Sequence, residues 1–80
     1  MPIFALHYEP SMYGFHTRWD GQHIISLRAE DDFYTHSRTL AHEMIHQWQL
    51  DNGYKRNHGK RFKKMARKIE NYYNIREGDI

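Results

Sequence analysis

Thr39-Leu40-Ala41-His42-Glu43-Met44-Ile45-His46-Gln47-Trp48-Gln49-Leu50 carries two patterns at once. Leu40, Ala41, Met44, Ile45 and Trp48 recur at helical spacing and form an apolar stripe expected to face a sheet. Within the same stretch, His42 and His46 stand four residues apart. On a helix that spacing puts two imidazoles one turn apart on one face, within reach of a single cation. Glu43 is rotated slightly off that face, where it can act on a water without being a ligand. This H-E-x-x-H order is the one that zinc-dependent peptide hydrolysis uses. Asp31 or Asp32 is expected to cap the helix, which is expected to run from 32 to 50 and to stop at Asp51-Asn52-Gly53.

The residues before the helix read as strands. Ile3 to Tyr8 is short and apolar between Pro2 and Pro10. Phe15 to Trp19 and His23 to Arg28 flank Asp20-Gly21, the pair expected in a type I′ turn because both central positions need positive φ. Residues 14–28 are therefore a predicted hairpin, and with residues 3–8 they make an expected three-stranded antiparallel sheet over 1–30. Downstream, Phe62, Met65, Ala66, Ile69, Tyr72 and Tyr73 fall at i, i+3, i+4 and i+7 spacing. They predict a second helix over 58–73, capped by Asn57, with Lys60, Lys63, Lys64, Arg67 and Lys68 on its opposite face. A polar tail, 74–80, is expected to fray.

The chain has eighty residues and no cysteine, so it is read as one small domain without disulfides or a cysteine-type zinc site. A histidine-bound metal is the leading candidate for a staple. A catalytic zinc site needs a third protein ligand. His58 leads: the seven residues 51–57 can span up to roughly 23 Å, ample for the return. Glu70 and Asp51 are the alternatives. His7, His16, His23 and His36 are expected to have no metal role, and Trp19, Phe15, Trp48, Phe62, Tyr72 and Tyr73 to belong to the core. Tyr54, in the loop, is a candidate hydrogen-bond donor to a developing oxyanion. The metzincin pattern is absent, because Gln49 and Asn52 stand three and six residues after His46.

Charge is unevenly placed. Residues 1–50 carry three basic and six acidic side chains, and residues 51–80 carry nine and four. A basic half on a near-neutral chain suits an anionic partner, nucleic acid first, or simply a solvated helix face. No apolar run approaches a membrane span and no signal-peptide core is seen, which predicts a soluble cytoplasmic protein.

Two motifs in order, Thr39-Leu40-Ala41-His42-Glu43-Met44-Ile45-His46 and Asn57-His58-Gly59-Lys60-Arg61-Phe62, followed by Met65 and Ile69, resemble the catalytic core of SprT-like metallopeptidases, the group that includes Spartan. A strand like Ile24-Ile25-Ser26-Leu27 precedes the helix in that family as well. The resemblance covers about 14–73. It implies a small zincin-like α+β domain, zinc on His42, His46 and His58, Glu43 as general base, and protein substrates, notably proteins crosslinked to DNA. The chain lacks the zinc ribbon of many members, and the basic second helix would have to substitute. The expected function is thus a minimal zinc metallopeptidase, monomeric, with a protein or peptide substrate and DNA as a candidate partner. The rival is a non-catalytic DNA-binding or protein-interaction module with a structural zinc.

Overall fold

The computed structural model describes residues 2–80. The chain runs β1 (Ile3–His7), β2 (Gly14–Trp19), β3 (Gln22–Arg28), α1 (Phe33–Asp51) and α2 (Lys60–Tyr73). It is a small α+β fold in three layers: α1 packs on β2 and β3 with one side and on α2 with another.

The hairpin is as its turn chemistry demands. Trp19 pairs with Gln22 across a two-residue loop, and Asp20 and Gly21 take φ of 51° and 75°. The sheet, however, is mixed and not antiparallel. Its order is β1-β3-β2, and β1 lies parallel to β3, with Phe4 beside Ile25 and Leu6 beside Leu27. β3 is the most buried strand, because the middle position is the one paired on both edges, and Ile25 is fully buried there. The connection over residues 8–13 only has to step across one strand. That is roughly 10 Å at ordinary strand spacing, well within six residues. Arg28 pins it by donating to the Pro10 carbonyl at 2.7 Å.

Asp32 caps α1, its carboxylate accepting the Thr35 amide at 2.8 Å. The expected stripe of α1 does not face the sheet as a unit. Ile45 and Trp48 turn toward α2, where Ile45, Phe62 and Ala66 form the buried cluster that Met65, Ile69 and Ile80 complete. Met44 is exposed. The side toward β2 is closed by Thr39 instead, where a Cβ on Gly14 would meet Thr39 Cγ2 at 2.5 Å and the Ser26 carbonyl at 2.8 Å. Only glycine admits that approach.

The second helix starts two residues later than expected. His58 precedes it in the loop, Gly59 is the N-cap, and Asn57 instead accepts the Gly59 amide at 2.9 Å. Asn74, at φ 57°, closes the helix in the left-handed conformation. Trp19, Tyr72 and Tyr73 are exposed and contribute nothing to the core, contrary to expectation. Nor is the tail frayed: Ile80 packs on the α1–α2 cluster, and Gly78 and Ile80 donate their amides to the buried Glu70. No helix among the described residues is long and apolar enough to cross a membrane.

Candidate metal centre

α1 presents His42 and His46 one turn apart, and the loop ahead of α2 brings His58 to them. The three Nε2 atoms form a near-equilateral triangle. The His42–His46 edge is 3.3 Å, and His58 lies 3.1 Å from each. Phe62 backs the group, its ring centroid 4.8 Å from those of His42 and His58 and 5.0 Å from that of His46.

The tautomers of two of these rings follow from their partners. His42 Nδ1 lies 3.0 Å from the Ile80 backbone oxygen, which can only accept, so Nδ1 carries a proton and Nε2 is the atom left to face a metal. His46 Nδ1 donates to Gln49 Oε1 at 2.8 Å, and Gln49 is held in that orientation by donating its amide to the Asn57 carbonyl at 2.9 Å. His46 is 2% exposed, and burial pushes its pKa down to about 4, so the ring is neutral near pH 7. Bare nitrogen lone pairs at this separation repel unless a cation sits among them. Tetrahedral nitrogen ligands at ~2.0–2.1 Å from a metal stand ~3.3–3.4 Å apart, which is close to the edges seen. The donor set and the orienting hydrogen bonds fit a divalent metal ion.

Glu43 lies beside this group, 5% exposed. Burial raises its pKa, opposed by the positive charge of Arg56 and by His58. Its Oε1 has no hydrogen-bond partner, and the Arg56 guanidinium stands 3.6 Å away. Arg56 also donates to the His16 carbonyl at 3.2 Å. A groove of about 200 Å³ opens next to His42 and Glu43, walled by Tyr13, Gly14, Arg38, Thr39 and Asp79.

The alternative third ligands are engaged elsewhere. Glu70 is buried two turns beyond Phe62 along α2, engaged with Arg67 and the tail amides. Asp51 accepts from His23 at 2.8 Å, and His23 in turn bonds His16 at 2.7 Å, which makes His16 a buried structural residue. Tyr54 packs its ring on Trp48 and under the Arg61 guanidinium, 4.0 Å from the centroid. Lys60, Lys63, Lys64 and Lys68 are exposed on α2, whereas Arg67 is tied to Glu70. Sequence reasoning missed the orienting roles of Gln49, Arg56, Glu70 and Ile80. Two of them had a signal. Gln49 follows His46 by three residues and so shares its face. Glu70 continues the buried i, i+4, i+8 series of Phe62 and Ala66.

Fold and site together define a small α+β domain with a tri-histidine candidate metal centre and a buried carboxylate beside it. The SprT-like family model matches residues 23–78, and the chain belongs to that family, which is associated with metallopeptidase activity. No curated protein and no solved structure matches the chain.

Proposed function

We propose that this chain is a zinc-dependent metallopeptidase with a zincin-like arrangement: metal on His42, His46 and His58, and Glu43 as general base. The observation that carries the reading is the convergence of three Nε2 atoms beside a buried carboxylate whose Oε1 has no hydrogen-bond partner. Three imidazole nitrogens suit zinc, and the adjoining groove leaves space for water and a peptide. When bound, zinc supplies Lewis acidity toward a water and toward the scissile carbonyl. Glu43 takes a proton from the attacking water and delivers it to the leaving amine. Its burial favours that exchange, because a carboxylate with a raised pKa holds a proton more readily. Of the two loop side chains, Arg56 rather than Tyr54 is the charge placed to face negative charge growing next to Glu43. An extended substrate would lie along β2, an edge strand that also walls the groove at Gly14.

The family and the exposed lysines of α2 support proteins on DNA as substrates. The duplex would be held by charge alone through Lys60, Lys63, Lys64 and Lys68. The decisive experiment is Glu43→Gln. It should retain zinc and fold while losing peptide hydrolysis, and full activity in that variant would remove the mechanism.

A second reading has one observation in its favour. The trio joins α1, the loop before α2 and, through Ile80, the tail, in a domain whose fully buried apolar residues are few. Here zinc would be a staple in a non-catalytic DNA-binding or interaction module. Chelation would then unfold the domain and Glu43→Gln would be silent.

A further inference from the structure

His46 is oriented by Gln49, a neighbour on its own helix, but His42 is oriented by a residue thirty-eight positions away. That residue, Ile80, is placed by Glu70. Glu70 is 2% exposed, and its carboxylate hydrogen-bonds to its own helix and to the tail. Oε2 accepts the amides of Gly78 at 3.1 Å and Ile80 at 2.8 Å, and Oε1 accepts from Arg67. Burial raises its pKa, but the two amides and Arg67 outweigh that and hold it below the usual carboxylate value, so it stays an anion. Gly78 turns the chain at φ 91°, and the Tyr34 hydroxyl anchors Asp79 at 2.7 Å from the α1 side. The segment is thus a strap fixed at both ends of a short turn. The Ile80 backbone oxygen lies 3.0 Å from His42 Nδ1.

We propose that Glu70 is a positioning residue for the metal centre: it seats the 78–80 strap, and the strap's Ile80 backbone oxygen keeps His42 in the tautomer and rotamer that present Nε2 to the metal. The proposal rests on the tri-histidine metal reading and not on peptide hydrolysis. Its physical basis is that Ile80 is gripped by its amide at Glu70 and grips His42 by its backbone oxygen. Release of the first bond frees the second. A His42 ring facing water at Nδ1 populates both tautomers and loses its fixed orientation. Outer partners of this kind are worth about 10- to 100-fold in metal affinity.

The test measures zinc affinity of the full chain by competition with a chromophoric chelator, alongside the imidazole nitrogen spectrum of His42 in metal-free protein. Glu70→Gln and a variant lacking residues 78–80 should each bind zinc about 10- to 100-fold more weakly. The His42 ring should shift from one tautomer to a mixture, while the His46 ring does not change. Ile69→Ala loses packing against the same cluster but removes none of the hydrogen bonds that link Glu70, the strap and His42, and it should stay within about twofold of the parent. Should Glu70→Gln fail to fold, the variant lacking 78–80, which keeps Glu70 with Arg67, decides the matter. Affinity within twofold of the parent in that variant, or an unchanged His42 tautomer, overturns the proposal, and so does a parent chain that takes up no zinc. A parent that binds zinc and responds as stated but cleaves no peptide removes the peptidase reading and leaves this one standing.

Discussion

Phe62 is the side chain on which core and site both depend, and truncating it should expose that double role. It is 4% exposed, belongs to the cluster with Ile45 and Ala66, and backs all three imidazoles at centroid distances of 4.8 to 5.0 Å. Phe62→Ala leaves a cavity that the surrounding side chains fill only in part, at roughly 3–5 kcal/mol. An eighty-residue domain has in total about 4–12 kcal/mol. The metal-free variant is therefore expected near or beyond the edge of folding. Zinc at a hundredfold excess over its dissociation constant returns about 2.7 kcal/mol, provided the trio still binds it. Without the ring behind them the imidazoles lose their common wall, so the rescue should fall short of what the parent gains from zinc. The assay is urea unfolding followed by far-ultraviolet circular dichroism, for parent and variant, with chelator and with zinc. Two results would refute the reasoning: a metal-free Phe62→Ala midpoint matching the parent, or an undiminished zinc-induced gain.

Four further outcomes are expected. Gly14→Ala forces its Cβ against the Ser26 carbonyl at 2.8 Å, a contact that backbone cannot yield. It should destabilise by about 1–3 kcal/mol in denaturant titrations, and Thr39→Ala in the same chain should relieve only part of this. Arg56→Ala should lower kcat by about 100-fold with KM little changed in a peptide-cleavage assay, as removal of a charge facing the transition state does. Because Glu70 titrates below its ordinary value in the fold, the unfolded chain binds the extra proton as pH drops. Its stabilisation should be complete above the ordinary carboxylate range and lost as pH falls through the folded value, and Glu70→Gln should flatten the fall in thermal midpoint between neutral and acid pH. If duplex DNA is bound, replacing Lys60, Lys63, Lys64 and Lys68 by alanine should reduce the salt slope of binding by up to about 3.6, while Arg67, tied to Glu70, should add little to that slope.

What was legible in the sequence was local. Asp20-Gly21 specifies its own turn, and the spacing of His42, Glu43 and His46 specifies their relation on a helix, because both depend on residues a few positions apart. His58 was reachable by chain length and by the family's second motif. The sheet order was not, because adjacency in sequence favours pairing β1 with β2, and only the competition for the covered middle position puts β3 between them. The tail was misjudged for a related reason. Its polar composition describes the residues themselves, whereas its order comes from a buried acceptor on another element, Glu70. Arg56 likewise reads as one more loop cation until β2 and α1 are brought to either side of it.

The parallel seat of β1 sets a sequence of events in folding. Strands β2 and β3 are joined by a two-residue turn and can zip in microseconds, with no help from the rest of the chain. β1 is synthesised before either, yet among the described residues it pairs with the far strand of that hairpin, so it cannot dock until the hairpin exists. Until then Ile3, Phe4 and Leu6 stand in water as an unpaired extended segment, and even after docking they are at least half exposed on an outer edge. Capture of that segment by another copy is the competing reaction. Yield on refolding should therefore fall steeply with protein concentration, and a lysine at Leu6 should protect it at little cost to the finished fold.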